Sequence, residues 1–110
     1  MKILDDVIIA PEKLSRYLLV PRLTDDKARF LARGGFTLEN PGELETSIRW
    51  LARSVEAVQD GLSEYGTFWR VEGCLRGPLR ELSVVLIFLE RSADRRIALV
   101  TLKPSKGTGR

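Results

Sequence analysis

The hydrophobic pattern of this 110-residue chain changes its period near Glu56, and that change constrains the fold more than any other feature. Before it, apolar residues recur at the spacing of one helical face, as at Leu44, Ile48 and Leu51. After it, apolar and polar residues alternate, as they do in strands. Helices followed by strands are typical of an α+β domain whose helices cover one face of an antiparallel sheet. We therefore predict two or three helices packed on a sheet of three to four strands.

Two short helices are expected in the first third of the chain. A brief apolar run ends at Pro11, which suits the first turn of a helix, so an extended arm leads into a helix that ends at Pro21. A cap and two first-turn carboxylates begin the second helix, which ends at Gly34-Gly35. The supporting residues are the arm Val7 to Ala10, the first apolar face Leu14, Tyr17 and Leu18, the cap Thr24-Asp25-Asp26, and the second apolar stripe Ala28, Leu31 and Ala32.

The third helix has the clearest start signal in the chain, Asn40-Pro41-Gly42-Glu43. Asparagine is a favoured N-cap, proline fits the first helical position, and the glutamate is placed to bond back to the cap. One face then carries Leu44, Ile48, Leu51 and Val55. The segment from Val55 to Gln59 fits either the end of this helix or a further edge strand.

Three principal strands are predicted after the helices. The run Leu82 to Leu89 is almost continuously apolar, as a strand covered on both faces would be, and we place it centrally. The last strand, Ile97 to Lys103, ends at Pro104, so residues 1–104 are expected to form one domain and residues 105–110 a flexible basic tail. The first strand alternates Tyr65, Thr67, Trp69, Val71, Gly73 and Leu75 on one side with Phe68, Arg70, Glu72 and Cys74 on the other.

Several kinds of chemistry are excluded by composition. The chain has no histidine and one cysteine, Cys74, so it can form no His-based triad, no thiolate zinc site and no internal disulfide. Asp25-Asp26 is better explained as helix N-terminal charge than as a metal site. We predict no metal and no cofactor. The single cysteine, the lack of a secretory signal and the absence of a long apolar run predict a cytoplasmic protein without membrane association.

Positive charge is concentrated in the second half of the chain. The net charge is +3, and residues 61–110 carry nine Lys/Arg against five Asp/Glu. Such an excess can attract phosphate backbones. Arg29 and Arg33 share a face of the second helix, which begins near Lys27; they form either a solvated surface or one side of a cationic cleft opposite Arg70 and Glu72.

Two aromatic residues have two interpretations. Tyr65 and Trp69 could form a platform on which bases stack. Because they share a strand side with Val71 and Leu75, a place in the core is the favoured expectation.

Short motifs follow one another in a fixed order over nearly the whole chain. They are Glu12-Lys13-Leu14, Tyr17-Leu18-Leu19, Pro21, Lys27-Ala28-Arg29-Phe30, Gly35-Phe36, Tyr65-Gly66, Gly77-Pro78 and Leu99-Val100-Thr101-Leu102-Lys103-Pro104. As a set they resemble a bacterial family of unknown function, found as small solitary proteins and as C-terminal domains of polymorphic toxins. The toxin-borne members look like the barnase, EndoU, colicin and RelE-type ribonucleases. The resemblance thus implies helices followed by a curved antiparallel sheet, and RNA cleavage through the 2′-hydroxyl.

The resemblance also implies site residues. Its motif positions select Lys27, Tyr65 and Thr101, and toxin-borne relatives often have a His-Pro before the Lys-Ala motif, which this chain lacks. A metal-independent endoribonuclease would then use Lys27 or Arg70 to stabilise the phosphorane, Glu72 to accept the 2′-hydroxyl proton and Tyr65 to protonate the leaving oxygen. The predicted RNA contacts are Arg29, Arg33, Arg95, Arg96 and Lys103.

Two other functions fit the same sequence. One is a non-catalytic module, resembling an immunity protein or an antitoxin, that binds a small cognate protein through a sheet edge or the basic half. The other is a structural domain that forms a homodimer through the third helix or a free strand edge.

Overall fold

A four-stranded antiparallel sheet forms one layer of the molecule. The computed structural model describes residues 7–19 and 27–105, apart from the side chains of residues 16 and 17. The strands are β1 (Val58–Ser63), β2 (Gly66–Arg76), β3 (Glu81–Arg91) and β4 (Ile97–Pro104), in the spatial order β1-β2-β3-β4. Each strand therefore pairs with its neighbours along the chain, as expected for helices followed by a meander.

Strand β3 pairs with β2 on one side and β4 on the other, which confirms its central position. Its alternate residues Val84, Leu86 and Phe88 are fully buried. The intervening Val85 and Ile87 are only partly buried. The expectation that both faces of this strand are covered was therefore wrong: its apolar pattern continues onto a face that the described helices leave open.

Within residues 7–19 and 27–105, three helical segments cover the other face of the sheet. They are a π-helical turn (Lys13–Leu18), α1 (Lys27–Arg33) and α2 (Pro41–Ser54). Gly35, with φ of 97°, turns the chain after α1. Of the predicted apolar stripe on α1, Ala28 and Leu31 are buried, whereas Ala32 is exposed.

Helix α2 begins at the predicted residue, but its cap differs from the expected capping box. The Asn40 side chain makes no hydrogen bond to the helix. Its Oδ1 accepts a 2.8 Å bond from the Thr37 amide, and its Nδ2 donates a 3.0 Å bond to the Gly35 carbonyl. The side chain therefore fastens the preceding loop. At the other end, Val55 is already extended, and the chain pairs as an edge strand from Val58.

One apolar core lies between the helices and the sheet. Helix α2 contributes Leu44, Ile48 and Leu51, each at most 2% exposed, in agreement with the predicted face. The predicted arm contributes Val7 and Ile9 to this core, and Ile8 between them pairs with Ala98 of β4 in a parallel bridge. The predicted helix end at Pro21, the cap Thr24-Asp25-Asp26, the Tyr17 side chain and residues 106–110 of the tail lie outside the described residues.

Candidate functional site

The sheet face directed away from the helices, called here the open face, carries both charged and apolar side chains. Strand register places it, because Arg70 lies opposite Ile87 and Ile87 lies opposite Thr101. The next row is Glu72, Val85 and Lys103. Alternation along the strands puts these two rows on the side opposite the buried Val84 and Leu86.

Arg70 and Glu72 form the centre of a polar cluster on this face. The Arg70 Nη1 lies 3.6 Å from Glu72 Oε1, and the Arg70 Nε lies 3.9 Å from Asp60 Oδ1. The side chains of Arg70 and Glu72 are 40% and 38% exposed, so solvent and ligands can reach both. Asp60 reaches the pair from a β-bulge in β1, between Gln59 and Gly61.

Ser105 completes the cluster from the end of β4. Its hydroxyl donates a 2.6 Å hydrogen bond to Glu72 Oε2, and its amide donates a 2.9 Å bond to the Ser83 carbonyl. Sequence reasoning assigned Ser105 to a flexible tail because it follows Pro104. The two-residue period that links Thr101, Lys103 and Ser105 was the signal that could have found it. We call Asp60, Arg70, Glu72, Thr101, Lys103 and Ser105 the polar cluster.

Thr101 faces Arg70 across β3. Two strand spacings separate their backbones by roughly 10 Å. Among the described residues, Arg70 Nε and Thr101 Oγ1 are the buried side-chain atoms without a hydrogen-bond partner. Both belong to the same cross-strand row. Unpartnered buried polar groups are rare in native proteins, and strain, a bound water or ion, and a catalytic role are the explanations for them.

The predicted residues of α1 lie in the helical layer instead. Lys27 is 7% exposed and borders Ala28, which is buried with Leu31. Arg29 and Arg33 are exposed on the same short helix. Arg29 also borders an apolar groove of about 440 Å³ between α1 and the loop around Leu38. Since α1 packs on the core side of the sheet, these three cations do not join Arg70 and Glu72 in one cleft.

The remaining predicted residues lie at one end of the sheet, called here the hairpin end. Tyr65 is in the turn between β1 and β2 and is 69% exposed, so neither a strand position nor a core position was correct for it. Its carbonyl accepts a 2.9 Å bond from the Ser92 amide at the β3–β4 turn. That turn also holds Arg95, paired with Glu90 at 3.2 Å, and Arg96. Five residues along β2 separate Tyr65 from Arg70 by roughly 17 Å.

Trp69 and Phe68 occupy opposite faces of β2. Trp69 packs against the core, which was the interpretation favoured by the sequence, and its indole N–H donates a 3.0 Å bond to Glu90. Phe68 lies on the open face beside Leu89. The aromatic ring available near the polar cluster is therefore Phe68, and not Trp69 or Tyr65.

The described residues contain no group of three or more His, Cys, Asp or Glu side chains that could hold a metal ion. In the same part of the chain, no helix is both long and apolar enough to span a bilayer. The cluster offers two carboxylates, of which Glu72 is held on both oxygens, together with a guanidinium, an ammonium and two hydroxyls. These groups suit proton transfer and the binding of an anion.

Comparison with family models matches residues 1–106 to DUF6883, a domain of unknown function. The chain belongs to the DUF6883 family. This confirms the predicted resemblance to a family of unknown function, while the link to a ribonuclease group stays a prediction. No curated protein matches the chain.

A solved structure has the same fold as this DUF6883 chain. It is a chain of the contact-dependent growth inhibition toxin and immunity protein complex from Klebsiella pneumoniae 342, with a TM-score of 0.70. The superposition covers 93% of this chain and 96% of that one at 18% sequence identity. At this identity the likeness establishes the fold.

Proposed function

We propose that this protein is the toxin-like member of a toxin and immunity pair, and that it binds and cleaves RNA on the open face of its sheet. The observation that carries the proposal is the Arg70 and Glu72 pair, with its 3.6 Å contact, on a solvent-accessible sheet face. A base and an anion-stabilising cation side by side are what RNA cleavage through the 2′-hydroxyl requires.

The polar cluster allows a division of roles. Glu72 accepts the 2′-hydroxyl proton, and Arg70 stabilises the charge that develops on the phosphorane. Lys103 lies in the same cross-strand row as Glu72, and in this proposal it protonates the leaving 5′-oxygen. We assign protonation of the leaving oxygen to Lys103 rather than to Tyr65, because Tyr65 lies at the hairpin end. Lys27 has no part in the reaction, since it is buried in the helical layer.

One comparison supports the pairing with an immunity protein, because the chain has the fold of a protein found in a toxin and immunity complex. The motif resemblance to toxin-borne domains is a separate argument from the sequence. The relevant partner is therefore a small protein that covers the open face and so blocks access of RNA to Glu72.

Controlled expression in bacteria tests the proposal. We expect the wild-type chain to arrest growth and degrade cellular RNA, and Glu72→Gln to reduce cleavage at least about a hundredfold, because the amide cannot accept the proton. Purified protein incubated with total RNA in EDTA gives the same comparison in vitro. Glu64→Gln is the matched control, since Glu64 is an exposed carboxylate in the turn before β2. Intact RNA after incubation with folded wild-type protein would refute the proposal.

A second function is favoured by a different observation. Phe68, Val85, Ile87 and Leu89 form a half-buried apolar strip on the open face, and such a strip also fits a protein interface without catalysis. In that case the chain would capture one stoichiometric protein from its native cells after ribonuclease treatment. Ile87→Glu would abolish the capture, and the wild-type chain would leave RNA intact.

A further inference from the structure

One cross-strand row of the open face, nearest the hairpin end, is wholly apolar and is called here the apolar half. It consists of Phe68 and Leu89, with Ala98 opposite on β4. In the rows beyond it, Ile87 and Val85 of β3 lie between the polar side chains of β2 and β4. A ligand that spans this boundary can place an apolar group on the Phe68 row and a charged group beside Arg70.

Phe68 is half-buried, yet it is not among the partly buried side chains that pack against the core. Its ring therefore adds nothing to the core between helices and sheet. A half-buried aromatic residue on a sheet surface, near a cation on the same strand, offers part of its flat π-surface to a ligand.

We propose that Phe68 is the stacking platform for a nucleobase, so that the apolar half of the open face is the base subsite of the RNA site. This inference rests on the proposed function, because it takes the polar cluster as the site of the sugar and phosphate. Base stacking on aromatic rings needs no sequence-specific hydrogen bond, which agrees with the lack of polar side chains in the Phe68, Leu89 and Ala98 row.

The spacing along β2 fits one nucleotide. Phe68 and Arg70 point to the same side two residues apart, which separates them by roughly 7 Å. A base on Phe68 therefore places its own sugar and phosphate beside Arg70 and Glu72. In the other direction, the exposed Arg96 of the β3–β4 turn is available to a neighbouring phosphate, whereas Arg95 is paired with Glu90 on the helix-covered side. The RNA strand thus runs along β2.

We assign a nucleotide to the apolar half. A protein partner is the alternative, and the two can be distinguished because they use different properties of Phe68. A protein interface uses the apolar volume of Phe68, which leucine largely supplies. A nucleobase uses the aromatic face, which leucine lacks and tyrosine keeps. Phe68→Leu and Phe68→Tyr therefore distinguish the two occupants.

Titration calorimetry with AMP, UMP and ribose 5-phosphate tests the base subsite on the full chain. We expect the wild type to bind both nucleotides more tightly than ribose 5-phosphate, and Phe68→Ala to weaken the nucleotides about tenfold. The same variant should leave ribose 5-phosphate unchanged, because that probe has no base. Phe68→Tyr should behave as wild type and Phe68→Leu as Phe68→Ala. Leu62→Ala, at a 74% exposed position of β1, is the control.

Two results would overturn the inference: equal binding of AMP and ribose 5-phosphate by the wild type, or full nucleotide affinity in Phe68→Leu. Circular dichroism melting of each variant separates loss of binding from loss of fold. An RNA cleavage assay on the same proteins keeps the two proposals apart. Stacking without cleavage supports the base subsite and refutes the nuclease, whereas cleavage unaffected by Phe68→Ala and Phe68→Leu refutes the base subsite alone.

Discussion

Thr101 is unusual at the scale of a single residue, because its hydroxyl is buried without a hydrogen-bond partner among the described residues. A buried hydroxyl of this kind lowers stability, since folding removes it from water and returns no bond. Residues that lower the stability of the fold are common at functional sites, because the arrangement that activity requires is often not the most stable one. The position of Thr101 in the same row as Arg70 agrees with that explanation.

Thr101→Val should therefore raise the free energy of unfolding by about 1 kcal/mol, because valine has the same shape and no unpartnered hydroxyl. Urea denaturation followed by circular dichroism measures this change. Thr67→Val, at a β2 position on the opposite face, is the matched control. A fall in stability for Thr101→Val would mean that the hydroxyl is bonded in the folded protein, and would remove Thr101 from the argument for a site.

At the residue level, strand pairing shows only which of the candidate residues lie together. Arg70, Glu72, Thr101 and Lys103 share one face of the sheet, and their roles stay predictions. Lys27 lies in the helical layer instead, because helical periodicity does not tell which side of a sheet a helix will cover. Phe68 was placed on the correct strand side, but nothing in the sequence showed that this side would remain open.

At the scale of elements, two of the glycines differ in whether the structure has room for a side chain. They are Gly66 and Gly42. Gly66 begins β2 with φ of 151°, and a Cβ there would lie 2.0 Å from the Glu90 carbonyl oxygen. Its missing side chain allows β2 and β3 to approach at the hairpin end. Gly42 lies in the first turn of α2, where an added Cβ would meet nothing within 4 Å.

Gly66→Ala should lower the free energy of unfolding by more than about 3 kcal/mol, since backbone strain and a backbone clash combine. Gly42→Ala should raise it by about 0.5 kcal/mol, because alanine favours the helix and restricts the unfolded chain. Thermal melts of the two variants beside wild type check both signs. Similar small effects in the two variants would contradict the described approach of β2 to β3.

The elements themselves were largely predictable, since α2 and the central β3 follow from local periodicity and turn residues. The exceptions have physical reasons. The sequence leaves Val55 to Gln59 open between helix and edge strand, because the residues of β1 are all exposed and carry no apolar alternation. The apolar run of β3 indicated two covered faces, although only one is covered by the described helices. That mismatch is also one reason why we propose the open face as a binding surface.

At the scale of the whole molecule, the two proposed functions differ in the force that drives binding. The net charge of +3 is small, so attraction of RNA depends on where the cations lie. Arg70 and Lys103 are on the open face, and Arg95 and Arg96 are at the hairpin end beside it. Binding of RNA there releases counterions and weakens with salt, whereas an apolar protein interface responds little to salt.

The salt dependence of RNA binding therefore decides between these functions. Fluorescence anisotropy with a short 2′-O-methyl RNA, which cannot be cleaved through its 2′-hydroxyl, should give a slope of log K against log salt of about −2, from about three phosphate contacts on a single strand. Arg96→Ala should reduce the slope by about 0.7, because one phosphate contact is lost. Arg80→Ala removes the same charge in the turn between β2 and β3, at the opposite end of the sheet, and should leave the slope unchanged. Equal slopes for both variants would mean that RNA is attracted by net charge alone, and a slope near zero would leave the apolar strip as the surface that binds a protein.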